Sequence, residues 1–260
     1  MSRGFGVAAG LDPEVASPLA ARCQELGFTS IWSNDHPGAK GLETLAEFAR
    51  GADRVELGVA VIAIDRHDPD AIAADLERTG LDPDRLWLGV GAGFTDKPLT
   101  AMRDALPRLR DALPGVRLVL AAMGPRMCRF AGAEWDGVFF NWMTPVFAAD
   151  AREHVEAGAS GAGRQAPPVM GYVRAAVGVD AEARLAKEES FYRDLHKGYR
   201  DHFDRLGEPE GTVGVAALTA GEAQTELSRY RALDLVVVRA LASATVEDMS
   251  AIAEATSPAN

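Results

Sequence analysis

The chain predicts a closed (β/α)8 barrel, one domain over residues 1–260, and three observations carry that expectation. Short β-type runs alternate with helical stretches from end to end, the order that gives a parallel sheet wrapped by helices. Eight such runs can be counted, the number that closes the sheet on itself. A length of 260 residues with 47% hydrophobic side chains suits a single core of barrel size.

Taken in order, the strands fall at 5–9, 30–33, 55–63, 86–90, 117–121, 137–140, 169–177 and 233–239. The helices fall at 13–26, 42–51, 70–79, 99–113, 126–133, 146–158, 181–206 and 245–255. Several open on capping signals: Asp12-Pro13 offers a side-chain acceptor followed by a proline whose missing N–H costs nothing there, and Asp180 stands before the seventh helix. Spacing becomes uneven late in the chain, where a break at 207–211, an apolar run at 213–218 and a further helix follow the long stretch 181–206. This reads as an elaborated seventh crossover. An open doubly wound sheet would show the same alternation, and the count of eight is what favours the barrel.

With 38 acidic against 27 basic residues the net charge is −11, and the basic side chains form no stripe, which argues against a nucleic-acid partner. The run Phe5-Gly6-Val7-Ala8-Ala9 is too short for a signal-peptide core, and the apolar run 57–64 is too short to span a bilayer. A cytoplasmic protein without membrane contact is expected. Cys23 and Cys128 lie in predicted helices without metal-type spacing and read as small core residues.

In a barrel, ligand chemistry belongs at the carboxyl ends of the strands. There the sequence has Asn34-Asp35-His36, Asp65-Arg66-His67-Asp68-Pro69, Gly91-Ala92-Gly93-Phe94, Met123-Gly124-Pro125 and Asn141-Trp142. The run Arg85-Leu86-Trp87-Leu88-Gly89-Val90-Gly91-Ala92-Gly93 carries a buried strand into a glycine turn, where backbone N–H groups can approach a flat or anionic ligand. His36 suits general acid or base work or a hydrogen bond to a ring, against the plain alternative of a loop histidine. For His67 a role in fixing the turn before Asp68-Pro69 is favoured. A metal site built from Asp35, His36, Asp65 and His67 is disfavoured, because the first strand ends in Ala8-Ala9-Gly10-Leu11-Asp12 without the expected paired histidines. The start of the fifth helix, with Arg126, can hold a phosphate on free backbone donors. Trp142 is a candidate wall of a substrate pocket, while Trp32, Trp87 and Trp135 read as core.

The order of these segments resembles the luciferase-like monooxygenase family, through Leu26-Gly27-Phe28-Thr29-Ser30-Ile31-Trp32, Asp35-His36, Leu57-Gly58-Val59-Ala60-Val61, Arg66-His67-Asp68-Pro69, the 85–93 run, and Gly124-Pro125-Arg126-Met127 with Ala133-Glu134-Trp135-Asp136-Gly137-Val138. The resemblance covers nearly the whole chain. It implies a (β/α)8 barrel that binds reduced FMN or the deazaflavin coenzyme F-420 and uses it for monooxygenation or hydride transfer, with the residues closer to the deazaflavin branch. It further implies Asp35 and His36 beside the ring system, and Ala60 and Val61 as a bulged strand end behind it, with a non-prolyl cis peptide. Gly91, Ala92 and Gly93 would run along the cofactor, with Met123, Gly124 and Pro125 near its phosphate. Family members commonly dimerise through helices near the second and third strands.

Departures from the family pattern narrow the expectation. Phe94 stands where sugar-phosphate dehydrogenases of the family have an acidic residue, and Lys40 where a tryptophan follows the histidine. Only residues 37–41 separate His36 from the second helix, so the lid loop there is short. An open pocket protects an oxygenated flavin poorly, which favours hydride transfer to a small-molecule substrate. The alternatives are an FMN-dependent monooxygenase and a non-catalytic barrel subunit.

Overall fold

Strand β1 (Ser2–Val7) is hydrogen-bonded to β2 (Ser30–Ser33) along one side and to β9 (Leu235–Ala240) along the other, so the sheet has no free edge at its start. The structure, a computed structural model, describes residues 2–258. From β2 the parallel ladder continues through β3 (Glu56–Ala63), β4 (Leu86–Gly91), β5 (Arg117–Ala121), β6 (Gly137–Phe140) and β7 (Val169–Val177), and β7 pairs with β9. These eight strands close the predicted barrel, and the β6–β7 and β1–β9 pairings set aside the open-sheet alternative. The apolar run at 213–218 supplies an extra short strand, β8 (Val215–Ala217), which pairs with the last three residues of β7.

The helices are α1 (Pro13–Glu25), α2 (Gly41–Gly51), α3 (Pro69–Thr79), α4 (Pro98–Ala112), α5 (Pro125–Glu134), α6 (Pro145–Gly161), α7 (Ala181–Leu195), α8 (Lys197–Leu206), α9 (Ala220–Leu227) and α10 (Val246–Ala255). Five of them, α1 and α3 to α6, begin on proline, whose fixed φ is already helical and whose absent donor would have had no partner. The single helix expected over 181–206 is two: His196 is extended at φ −160°, and its Nδ1 accepts the Gly198 N–H at 3.0 Å, which caps α8 and ends α7. Among the described residues no helix is long and apolar enough to cross a membrane.

Alternation along the strands sorts the core into two. Outward-facing residues such as Phe5, Ile31, Leu88, Val138 and Val238 pack beneath the helices, while Trp32, Val119, Phe139, Met170, Tyr172 and Val237 fill the barrel. Glycine makes room inside: a Cβ on Gly58 would lie 2.2 Å from the Trp32 ring, and one on Gly6 would lie 2.7 Å from Tyr172. Trp32 and Phe139 are 4.9 Å apart and Phe139 and Tyr172 4.7 Å, so side chains pack the barrel interior.

Candidate active site

The loop after β2 is built on side chains that tie neighbouring strand ends. Asn34 Oδ1 accepts the Ala9 N–H at 3.1 Å, joining the ends of β1 and β2. Asp35, its side chain 4% exposed, accepts at Oδ1 from His67 Nε2 at 3.0 Å and from Arg66 at 3.4 Å, and at Oδ2 from the Gly41 N–H at 3.2 Å. A carboxylate this buried is held by donors aimed at both oxygens. His36 and Ala39 exchange backbone hydrogen bonds in a tight turn, and His36 Nδ1 accepts the Gly38 N–H at 3.1 Å. The ring proton therefore sits on Nε2, which faces the Ala9 carbonyl at 3.4 Å, a long and weak contact.

Adjacent residues thus point apart. Asp35 reaches toward the β3 loop and His36 toward β1. His67 turns to Asp35, and the start of α3 is capped instead by Asp68, which accepts the Asp70 N–H at 3.0 Å. Asp65 turns the other way, so the four groups weighed as metal ligands do not converge.

The ends of β3 and β4 form one edge of the barrel mouth. The Ala60–Val61 peptide is cis, and the β3–β4 register slips between Val59 and Ile62, the bulge expected from the family resemblance. Gly91 lies against Val61, with a Cβ there 3.0 Å from Val61 Cγ2. Ala92 packs against the core, and Gly93 has φ +68° with the Asp65 carboxylate 2.0 Å from where a Cβ would be. Asp65 Oδ2 accepts the Phe94 N–H at 2.9 Å, so this carboxylate staples the two loops around the glycine. After β5, Met123 leads to Gly124 and Pro125 at the start of α5. Gly124 has no side-chain cap bond and open space at its Cβ position, which leaves the first-turn N–H groups free of side-chain acceptors.

On the opposite side, over β6, β7 and β9, lies a group that the sequence analysis did not single out. Arg174 of β7 is 2% exposed, packs over the Trp142 ring at 3.9 Å and the Tyr192 ring at 5.0 Å, and donates to Asn141 Oδ1. Arg239 of β9 is 8% exposed and is its register partner. Both share strand parity with interior residues, Tyr172 on β7 and Val237 on β9, so both face the inside of the barrel at its carboxyl end. The tripeptide Val-Arg-Ala occurs in both strands, at 173–175 and 238–240, and a lone arginine at interior parity in an apolar strand was the signal available. Trp142, weighed as a pocket wall, is 1% exposed and lies beneath α7 and α8 with Phe203 and Leu185. The two helices extend to the other rim, where the His196 ring stacks on Phe94 at 4.3 Å and an interplanar angle of 25°. That contact bridges the β4 loop to the α7–α8 junction.

The exposed large hydrophobic residues Phe94, Val146, Val179, Phe191, Leu195 and Leu218 all follow carboxyl ends of strands or belong to α7, so the apolar surface gathers at this end. Two surface clefts, about 600 Å³ beside Ser2, Arg231 and Asp234 and about 390 Å³ beside Leu76, Leu81 and Leu113, lie at the opposite end, where strands begin. Both cysteines are buried as expected, and burial pushes the Cys128 thiol up to about 12, out of the reactive range.

The polar side chains, glycine edge, strand bulge and uncapped helix start all follow the carboxyl ends of the strands, the end at which barrels of this architecture carry their ligand sites. Comparison of the sequence with protein families matches the luciferase-like monooxygenase family over residues 102–256, and the chain belongs to that family. Its fold is similar to that of an F-420-dependent secondary alcohol dehydrogenase bound to an adduct of the coenzyme with acetone, at 17% identity, covering 99% of this chain and 98% of that one, with a TM-score of 0.75. It is also similar to the coenzyme F-420-dependent tetrahydromethanopterin reductase of Methanopyrus kandleri, at 17% identity, 98% and 96% coverage and a TM-score of 0.73. A third likeness is to the oxygenating constituent of 3,6-diketocamphane monooxygenase from Pseudomonas putida in complex with FMN, at 12% identity, 98% coverage of both chains and a TM-score of 0.69.

Proposed function

We propose that the protein is an oxidoreductase that binds coenzyme F-420 at the carboxyl end of the barrel and passes a hydride to or from an unsaturated or imine-like carbon of a small molecule. The observation that carries this reading is the single edge formed by the cis Ala60–Val61 bulge, the Gly91-Ala92-Gly93 turn and the loop bearing Asp35 and His36, in a barrel of this family.

The residues fit a flat, phosphate-bearing cofactor. Gly91 and Gly93 keep side chains off the β4 edge, and Val61 offers an apolar face beside it. Around Met123, Gly124 and Pro125 the uncapped start of α5 supplies N–H donors for a phosphate, with Arg126 one residue further adding charge. The coenzyme supplies the hydride chemistry when bound. Asp35 fixes the loops after β2 and β3 in one arrangement by taking donors from both. His36 keeps its proton on Nε2 and gives up only a weak contact to Ala9 when it donates that proton, or a hydrogen bond, to a substrate atom. Phe94 and His196 stack on each other and join the β4 loop to the α7–α8 junction at the rim.

FMN-dependent monooxygenation is the second reading, favoured by the likeness to an FMN-bound monooxygenase. Parallel fluorescence titrations with coenzyme F-420 and FMN, oxidised and reduced, decide between them. Preference for F-420 supports hydride transfer, tight binding of reduced FMN supports oxygenation, and binding of neither leaves a non-catalytic barrel subunit.

A further inference from the structure

We propose that Arg174 and Arg239 are the anion-binding half of the substrate site, so that the substrate is an organic anion carrying a carboxylate, sulfonate or phosphate group. This rests on the barrel mouth being the substrate site, as proposed above.

Three observations converge. Arg174 and Arg239 are register partners on adjacent strands and face the same side, yet among the described residues neither is within ion-pair distance of a carboxylate. Two like charges side by side and over nine-tenths buried are costly unless a counter-charge joins them. Next, two buried donors here lack acceptors: Arg174 Nε and Trp142 Nε1 make no hydrogen bond, and among the described residues no side-chain hydrogen bond holds the Arg239 guanidinium. Buried donors left unpaired are rare in folded chains. Finally, among the described residues the surroundings offer the pair no close counter-charge, and Glu188 acts on Arg174 only from beyond ion-pair distance. Trp142, Tyr172 and Tyr192 present ring faces to the Arg174 guanidinium, Asn141 takes one of its N–H groups, and burial holds its pKa below the ordinary arginine value. A planar pair of guanidinium forks suits a tetrahedral or carboxylate oxyanion.

The pair belongs to the substrate and not to the cofactor phosphate because of its position. The glycine edge lies on β3 and β4 and the uncapped helix start follows β5, whereas the arginines stand on β7 and β9 across the barrel. A substrate whose anionic end is held there extends its body toward the β3–β4 edge. Phe94, Phe191 and Leu195 give the rim an apolar surface for that body.

Sulfate is the probe, compared with chloride at equal ionic strength by thermal denaturation and calorimetry of the whole chain. Wild type should bind sulfate and gain several degrees in Tm beyond the gain of Arg239→Gln, which controls for the general stabilising effect of the salt. Affinity should fall by about tenfold or more in Arg239→Gln and be partly retained in Arg239→Lys. Without sulfate, Arg239→Gln should be at least as stable as wild type, since it removes repulsion. Equal sulfate responses in wild type and Arg239→Gln overturn the proposal, and if that variant does not fold, absence of sulfate binding to wild type does so alone. FMN and riboflavin titrations separate the sources: a loss in Arg239→Gln confined to FMN would assign the pair to the cofactor phosphate. Failure of every flavin and deazaflavin to bind would sink the oxidoreductase reading, leaving the anion site to be judged by sulfate.

Discussion

His67 Nε2 lies 3.0 Å from Asp35 Oδ1, and this contact between residues 32 positions apart joins the loop after β2 to the loop after β3. The same carboxylate takes the Gly41 N–H at the start of α2, so one buried side chain orders three segments at the barrel mouth. Removing it leaves an N–H and an imidazole without their acceptor. Asp35→Ala should cost about 1–3 kcal/mol, and Asp35→Asn less, because the amide oxygen still accepts one of these bonds. Urea denaturation measures both, and an unchanged midpoint for Asp35→Ala would refute the hub role.

His36 has different work. Its backbone closes the turn with Ala39, and a substitution keeps those bonds, so His36→Ala should leave circular dichroism and Tm near wild type. If its Nε2 proton takes part in the proposed reaction, turnover should fall by about 10²–10⁴-fold. Unchanged turnover would remove His36 from the mechanism and leave it a loop residue.

Gly93 separates backbone strain from crowding. With φ +68° any side chain is strained there, and a Cβ would also collide with the Asp65 carboxylate at 2.0 Å, forcing it off the Phe94 N–H. Gly115, at φ +81° with nothing within 4 Å of its Cβ position, carries the strain alone. Gly93→Ala should therefore be more destabilising than Gly115→Ala, which should cost about 1 kcal/mol. Equal losses would mean that Asp65 yields without cost.

Much of the barrel was legible because its signals are local. Asp-Pro pairs at 12–13 and 68–69 mark helix starts, and apolar runs mark strands, whatever the rest of the chain does. The break between α7 and α8 carried no such mark: Leu195-His196-Lys197 has neither glycine nor proline, and only the imidazole bond to Gly198 makes His196 a cap. Asp35 and His36 read as a pair by adjacency, whereas their partners, His67 and Ala9, are supplied by other strands. Arg174 and Arg239 were overlooked because each lies in an apolar run. Their significance comes from β7 and β9 lying side by side, which closure of the barrel decides.

His202 gives the arm formed by α7 and α8 a pH response. Its Nε2 donates to the Trp142 carbonyl, and its Nδ1 accepts from Arg205 at 3.2 Å, an arrangement that only the neutral ring satisfies. Burial, first, and the Arg205 charge hold its pKa below the ordinary histidine value, against the opposing pull of the Trp142 carbonyl. The folded pKa is thus lower than the unfolded value of about 6.5, so the unfolded chain binds the proton more readily. The neutral ring's contribution is present in full above that pH and is lost as pH falls from about 6.5 through the folded value. Replacement by glutamine removes the titration and keeps a donor for Trp142. The Tm of wild type should therefore fall more steeply than that of His202→Gln between about pH 6.5 and 5, on top of the carboxylate titrations common to both. Parallel Tm profiles would show that His202 protonates without cost, and the neutral-ring account of this contact would be wrong.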